Sequence, residues 1–196
     1  MPKVTLERVT PETLPVYAPR LGAILSAQVL SGVSNNFLLP FTASQATEVF
    51  ERNAAALAVA PGPGGAIMWV ARLPPDDSPQ PSVDMDGNPT GQEDIVGSVL
   101  LAFHVAPNGR FRTEVRKLLV DERYQRRGIG RTLMLQLEDA ARAHGSTLCL
   151  LDTEQGSSGE RLYNALGWST AGVVPNYAFE PDGKTKNSAV FMYKEL

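Results

Sequence analysis

The stretch RTEVRKLLVDERYQRRGIGRTLMLQL, residues 112–137, joins a strand to a helix through a basic loop with two glycines. Residues 114–120 have the character of a strand, and an amphipathic helical pattern begins where Gly128-Ile129-Gly130 ends. Backbone N–H groups at a helix N-terminus attract anions, and glycine lets a phosphate approach the main chain. The stretch therefore predicts a pyrophosphate-binding loop.

Three kinds of phosphate loop compete for these glycines. A nucleotide P-loop needs a lysine directly after its final glycine, whereas Gly130 is followed by Arg131-Thr132. A dinucleotide loop needs a small residue where this chain has the bulky Leu133. The third kind, a coenzyme A loop of the form Gln/Arg-x-x-Gly-x-Gly/Ala, matches residues 125–130 at every fixed position. A purely structural turn would not explain the pair Arg126-Arg127.

The loop is preceded by Glu114 and followed by Leu162-Tyr163 and Gly167-Trp168. With these features the chain resembles the GNAT acetyltransferase superfamily, and within it the tabtoxin-resistance type of small-molecule acetyltransferase. The similar segments are residues 113–120, 125–130, 151–154, 175–177 and 181–183. The resemblance runs from about residue 96 to the C-terminus, and the N-terminal half matches only in its arrangement of elements.

The pattern of apolar residues predicts the element order β-α-α-β-β-β-α-β-α-β-β. Three closely connected strands before one strand–helix–strand crossover indicate a mixed sheet with helices on both faces. The resemblance implies the GNAT fold, an α/β class with a mostly antiparallel twisted sheet of about seven strands. We expect a single N-acetyltransferase domain over residues 1–196, with residues 74–93 as a flexible insertion between strands.

Composition excludes several classes of protein and site. A net charge of −3 argues against a general nucleic-acid or anionic-membrane binder. The single cysteine excludes an internal disulfide, and the two histidines, His104 and His144, lack metal-ligand spacing, so we expect no metal. The longest apolar segment, residues 95–105, is too short to span a bilayer. With no signal peptide apparent, we expect a cytoplasmic monomer or homodimer.

The resemblance implies that acetyl-CoA is the cofactor and that two segments hold it. Main-chain groups at residues 118–120 would bind the pantetheine arm like an added strand, and the loop N–H groups would cradle the pyrophosphate. Ser157 and Ser158 would replace an asparagine that many relatives carry at the position of Gly156. The predicted coenzyme-binding residues are Leu118, Leu119, Val120, Gln125, Arg126, Arg127, Gly128, Ile129, Gly130, Arg131, Ser157 and Ser158.

Acetyl transfer to an amine needs a group that takes a proton from the ammonium. Glu114 is the first candidate, because burial on its strand would raise the pKa of its carboxyl; the alternative is a salt bridge to Arg112 or Arg116. Asp152, at the end of the next parallel strand, is the second candidate, and its alternative role is a cap or turn acceptor.

Tyr163 occupies the place of the superfamily's usual tyrosine, which approaches the coenzyme sulfur and can act as a general acid. The alternative is a core tyrosine with its hydroxyl at the surface. The spacing from Tyr163 to Gly167 favours the catalytic role.

Superfamily architecture also implies an acceptor pocket between residues 32–41 and residues 175–179. The predicted acceptor-binding residues are Asn35, Asn36, Phe37, Asn176 and Tyr177. The predicted function is an acetyl-CoA-dependent N-acetyltransferase that acts on a small amine, amino-acid-like compound, toxin or xenobiotic by direct transfer in a ternary complex. The alternatives are a protein lysine or N-terminal acetyltransferase and a non-catalytic acyl-CoA-binding module.

Overall fold

The computed structural model of the chain describes residues 4–33, 36–74 and 94–196. Within these ranges the strands are β1 (Thr5–Val9), β2 (Ala66–Leu73), β3 (Asp94–Phe103), β4 (Arg112–Val120), β5 (Leu148–Glu154), β6 (Ser169–Phe179) and β7 (Lys186–Glu195). The helices are α1 (Leu14–Leu30), α2 (Ala43–Glu51), α3 (Ala54–Ala58), α4 (Ile129–Ala143) and α5 (Ser158–Ala165).

The seven strands form one sheet in the order β1-β2-β3-β4-β5-β7-β6. Every neighbouring pair is antiparallel except β4 and β5, which are parallel and are joined by the crossover through α4. The predicted mixed, mostly antiparallel sheet is confirmed. The parallel pair lies at its centre, so the strand before the glycine loop and the strand after α4 are neighbours.

Two hydrophobic cores cover the two faces of the sheet, as the alternation of side chains along a strand requires. On β2, Ile67 and Trp69 pack in the core that contains α4 and Tyr163 of α5, whereas Met68 and Val70 pack in the core that contains α1 and α2. Because β2 is buried on both faces, its sequence is almost continuously apolar. The predicted helices on both faces are therefore present.

Helix α4 has the predicted apolar stripe. The i,i+4 spacing of Glu138 and Arg142 predicts an ion pair on this helix, and the pair is present at 3.6 Å. The Glu138 side chain, however, is only 2% exposed. Its carboxylate accepts hydrogen bonds from the Trp168 indole N–H at 3.0 Å and from the Lys194 ammonium at 2.7 Å. The pair is thus part of a buried polar network that joins α4 to the last strand, rather than a solvent-exposed pair.

The N-terminal helices differ from the prediction in two respects. The sequence places Pro15 and Pro19 near the start of the first helix, where proline costs least, but Pro19 lies inside α1, beyond its first turn. Apolar residues from Val49 to Val59 predict one continuous helix capped by Thr42 or Ser44. The helix capped by Thr42 instead ends at Glu51, and a separate short helix follows. The amide of Asn53 donates to the carbonyls of Val49 and Phe50, and this competition with the helix hydrogen bonds explains the break.

The apolar pattern predicts the last two strands at residues 169–173 and 189–194, and β6 and β7 are both longer than this. The turn between them lies at the predicted residues 181–183, where Asp182 accepts backbone hydrogen bonds from Lys184 and Thr185. The predicted insertion lies outside the described residues, apart from Pro74.

None of the helices in the described ranges is long and apolar enough to cross a membrane.

Candidate active site

The two central strands separate where the predicted coenzyme site begins. Strands β4 and β5 pair in parallel at only three positions, from Arg112 with Leu148 to Glu114 with Leu150. Beyond these positions β4 continues to Val120 and stays paired with β3, while β5 continues beside β7. The sheet therefore opens into a cleft between β4 and β5.

A bulge in β4 marks the start of this opening. Arg116 pairs with Leu100 and Leu119 pairs with Ser98, so that Lys117 and Leu118 both lie opposite the single residue Val99. Lys117 has a φ of 54°, a left-handed backbone conformation that residues other than glycine rarely adopt. The hydroxyl of Ser98 donates to the Lys117 carbonyl at 2.9 Å and holds the bulge. The bulge bends the strand away from its parallel neighbour.

The cleft is part of a cavity of about 960 Å³. This volume is at the upper end of the range of roughly 300–1,000 Å³ for ligand pockets. Eleven of the twelve predicted coenzyme residues line it: Leu118, Leu119, Val120, Gln125, Arg126, Gly128, Ile129, Gly130, Arg131, Ser157 and Ser158. Arg127 does not line it, because its guanidinium lies over the Tyr124 ring, 5.5 Å from the ring centre.

The glycine loop has the backbone that an anion site requires. Gly128 has a φ of 85° and is the N-cap of α4, with no atom within 4 Å of the position that a side-chain carbon would occupy. Gly130 allows close packing instead, since a side-chain carbon there would lie 3.0 Å from Leu162 of α5. The first glycine leaves open space beside the main chain, and the second lets α5 approach the loop.

A cluster of ion pairs holds the segment that precedes the loop. The carboxylate of Asp121 accepts hydrogen bonds from the guanidinium groups of Arg20 at 2.5 Å and Arg123 at 2.8 Å. Burial raises the pKa of Asp121, but the hydrogen bonds from Arg123 and Arg20 outweigh this effect and lower the pKa to about 2. Asp94 accepts from the Tyr124 hydroxyl at 3.0 Å. These contacts tie α1 and the start of β3 to the segment that leads into the loop.

Two amides hold the end of β4. The Val120 carbonyl accepts hydrogen bonds from Gln28 of α1 at 2.9 Å and from Gln125 of the loop at 3.2 Å. Both lone pairs of this oxygen are thus engaged. The Val120 carbonyl is therefore not available to bind a pantetheine arm in the way predicted for residues 118–120.

Glu114 and Asp152 both line the cavity, but their surroundings differ. The Glu114 side chain is 37% exposed and accepts a hydrogen bond from Arg116 at 2.7 Å, so the expected burial is wrong and the alternative ion pair is present. Asp152 is exposed to the cavity, whose walls still desolvate its carboxylate. This desolvation, followed by the negative charge of Glu114, raises the pKa of Asp152.

Tyr163 lies on α5 and lines the same cavity, with only 6% of the residue exposed. Its ring centre lies 5.9 Å from that of Trp168, which supports the ring from the core side. Burial, followed by the negative charge of Asp152, raises the pKa of the Tyr163 hydroxyl. The hydroxyl is therefore protonated at neutral pH and able to donate a proton.

The predicted acceptor residues are only partly brought together. Asn36, Phe37 and Tyr177 line the cavity, Asn176 does not, and Asn35 lies outside the described residues. Phe37 stacks on Phe41 with ring centres 4.5 Å apart. The N–H of Leu39 donates to the Pro181 carbonyl at 2.8 Å, so the segment between α1 and α2 is joined to the β6–β7 turn.

Several lining residues were not predicted, among them Gln28, Lys117, Arg161 and Asn187. Gln28 is a buried polar residue among the apolar residues of α1. Because buried polar residues are unusual, this position in the pattern could have indicated a functional residue. Lys117 lines the cavity because the bulge turns its side chain in that direction. No local feature of the sequence predicts the bulge.

The family model for the acetyltransferase (GNAT) family matches residues 75–168, which include β3, β4, the glycine loop, α4, β5 and α5. This match supports a place for the chain in the GNAT acetyltransferase superfamily. The match supports an acyltransferase, and acetyl-CoA is the acyl donor that the GNAT family uses.

Solved structures of GNAT fold resemble the whole chain. A Salmonella typhimurium protein assigned as an acetyltransferase, solved with its cofactor acetyl-CoA, has a TM-score of 0.65 at 17% identity, covering 99% of this chain and 94% of its own. A protein assigned as a phosphinothricin N-acetyltransferase has a TM-score of 0.67 at 18% identity and 99% coverage of both chains. The ribosomal-protein-alanine N-acetyltransferase of Brucella melitensis has a TM-score of 0.65 at 19% identity, covering 98% of this chain and 99% of its own.

These identities are low, and the likenesses show the fold alone. The named acceptors of the last two proteins, a small molecule and a protein, belong to different classes although their folds are equally similar to this chain. The GNAT fold therefore does not determine the acceptor.

Proposed function

We propose that this GNAT protein transfers the acetyl group of acetyl-CoA to the amine of a small molecule, by direct attack in a ternary complex. One observation carries the proposal: the glycine loop, a carboxylate with a raised pKa and a protonated tyrosine line a single cavity. This combination provides a donor site, a proton acceptor and a proton donor for one reaction.

The residues present fit coenzyme A. The open space beside Gly128, at the N-terminus of the fifteen-residue helix α4, suits a pyrophosphate, because N–H groups and the helix dipole both favour negative charge there. Arg126 and Arg131 line the same part of the cavity and add positive charge. The gap between β4 and β5 suits an extended arm that binds as an added strand. Acetyl-CoA supplies the acetyl group as a thioester.

Asp152 is the proposed base. Its carboxylate would accept the proton that the acceptor ammonium must lose before the amine can attack, and a raised pKa makes it a stronger base than an ordinary aspartate. Glu114 is less suited to this role, since the Arg116 guanidinium already neutralises it at 2.7 Å. The order of the two candidates is thus the reverse of that expected from the sequence.

Tyr163 is the proposed acid. Its hydroxyl would give a proton to the sulfur as the carbon–sulfur bond breaks. The raised pKa of this hydroxyl keeps the proton available at neutral pH.

Three observations support a small acceptor. The cavity of about 960 Å³ has to contain the coenzyme arm as well as the acceptor. The hydrogen bond between Leu39 and Pro181 joins the two segments beside the acceptor end. The sequence resemblance to the tabtoxin-resistance type also favours a small amine.

The test is thiol release from acetyl-CoA by the purified full chain. We expect turnover with members of a panel of small amines and none above background with lysine-containing or N-terminally free peptides. Asp152→Asn should abolish most of the turnover, while Asp139→Asn, at a surface position of α4 where the side chain is 77% exposed, should not. Turnover with peptides alone would favour the protein-acetyltransferase alternative, and coenzyme binding without turnover would favour the non-catalytic one.

A further inference from the structure

We infer that the acceptor carries an anionic group, of the carboxylate class, near its amine, and that Lys117 binds this group. The inference rests on the proposed function, because it concerns the acceptor end of the same cavity. It restricts the acceptor from small amines in general to amino-acid-like zwitterions.

The position of Lys117 follows from the bulge in β4. With a φ of 54° and an extra residue opposite Val99, the backbone turns the side chain toward the segment between α1 and α2. The ammonium nitrogen lies 5.8 Å from the centre of the Phe37 ring, and Phe37 packs against the core on the α1 face. Both residues line the cavity. The charge of Lys117 is therefore at the acceptor end and not in the glycine loop.

Lys117 has no carboxylate partner within salt-bridge distance among residues 4–33, 36–74 and 94–196, whereas its neighbour Arg116 pairs with Glu114. Lysines are almost never fully buried unless they are paired, and Lys117 is partly buried. Burial, followed by the positive charge of Arg116, lowers the pKa of Lys117. A bound anion would offset both the burial and the positive charge of Arg116. The contact with the Phe37 ring stabilises the ammonium less than an anion would.

The charges at this end of the cavity are arranged for a zwitterion. Asp152 offers negative charge to an ammonium, and Lys117 offers positive charge to a second group on the same molecule. The coenzyme's phosphates have a separate site, since Arg126 and Arg131 lie in and after the loop. The anionic group that Lys117 fits is consequently part of the acceptor.

The test compares amino acids with their carboxamides, which keep the amine and side chain but lack the negative charge. The kcat/KM ratio for each pair is measured in the wild-type chain, in Lys117→Met, in Lys117→Arg and in the matched control Lys184→Met, an exposed turn position. Methionine keeps an unbranched stem beside Phe37 and removes the charge. Comparing ratios between variants cancels the different basicities of the two amines.

We expect the wild type to prefer the carboxylate, and Lys117→Met to reduce that preference by about tenfold to a hundredfold, chiefly through KM, as for the loss of a charged hydrogen bond. Lys117→Arg should restore part of the preference, and Lys184→Met should keep all of it. A Lys117→Met with the wild-type ratio would overturn the inference.

A binding measurement separates this inference from the proposed function. N-acetyl amino acids and their amides are titrated by calorimetry into the wild-type chain saturated with coenzyme A. Tighter binding of the carboxylate form supports the anion site even if no acceptor turns over, in which case the proposed function alone fails. Equal affinities overturn the anion site whether or not the chain is an active enzyme, and this arm does not depend on any variant folding.

Discussion

The Tyr163 hydroxyl is held in a desolvated position at the junction of α5 and the cleft, where its proton is hard to remove. If it protonates the departing sulfur, Tyr163→Phe should lower kcat by about a hundredfold, the lower end of general acid–base effects, because a thiolate leaves readily. Steady-state kinetics at saturating acetyl-CoA measures this effect. Tyr193→Phe on β7 is a matched control, since Tyr193 does not line the cavity.

An unchanged kcat in Tyr163→Phe would remove the acid from the proposed mechanism. A fall in kcat that accompanies weaker coenzyme A binding of the same size would instead indicate a packing role for the ring.

The identity of the base can be tested by pH. The charge of Glu114 raises the pKa of Asp152, so Glu114→Gln should lower that pKa and free Arg116 to lower it further. If the deprotonated form of Asp152 is the active one, kcat/KM falls as pH drops through its pKa, and the acidic limb in Glu114→Gln moves to lower pH. Asp152→Asn should lower kcat/KM by about 10²–10⁴-fold.

The reverse pattern would identify Glu114 as the base. In that case Glu114→Gln loses the activity at every pH, and Asp152→Asn keeps most of it with a displaced acidic limb.

At the scale of elements, the glycine loop and α4 act together, since the N-cap residue Gly128 sets the direction in which the first N–H groups of the helix point. Gly128→Ala would place a side chain in a left-handed conformation, which costs about 1–2 kcal/mol, and a methyl group beside the proposed pyrophosphate. We expect a lower melting temperature together with weaker coenzyme A binding in calorimetry.

Gly145→Ala is the matched control for this prediction. Gly145 ends the same helix with a φ of 77° and no atom within 4 Å of the added carbon. Both variants should lose similar stability, and only Gly128→Ala should lose coenzyme affinity. Equal affinities in the two variants would separate the loop from coenzyme binding.

The sequence predicts the elements of the coenzyme half well, because their signals are local. The spacing of Ile129, Leu133 and Leu137 fixes the buried face of α4, and the glycines fix where it begins. The bulge at Lys117 and the early end of the β4–β5 ladder depend on partners in β3 and β5, so no window of sequence contains them. The break before α3 depends on the side-chain amide of Asn53. The pattern of apolar residues contains no information about this amide.

At the scale of the whole molecule, the buried network around Glu138 joins α4 to Trp168 and to Lys194 of β7. Lys194→Met would leave the Glu138 carboxylate buried, with Arg142 3.6 Å away as its remaining cation. Removing one partner of a buried pair costs about 3–5 kcal/mol, and the remaining contact with Arg142 makes about 3 kcal/mol the expected loss. Urea unfolding measures the change.

Lys186→Met is the control, because Lys186 is an exposed position on the same strand. Its free energy of unfolding should change by less than about 0.5 kcal/mol. Equal unfolding midpoints for the two variants would show that the network does not stabilise the fold.

The sequence predicts one half of the candidate site better than the other, because only one half has local signals. Its donor half comes from one continuous stretch with a motif. Its acceptor half is assembled from α1, the segment after it, β4 and the β6–β7 hairpin, which meet only in the folded sheet. Sequence reasoning therefore included Asn176, which does not line the cavity, and missed Gln28, Lys117 and Asn187, which do.

The hydrogen bond from Leu39 to the Pro181 carbonyl joins segments that lie 142 positions apart in the chain and outside the coenzyme loop. These two segments can therefore change together without altering the glycine loop, which we propose as the donor site. Divergent descendants of such a protein would keep one donor and acquire new acceptors through paired changes near residues 36–41 and 177–181. Substitutions that track acceptor preference should accumulate in these two segments and not in the glycine loop.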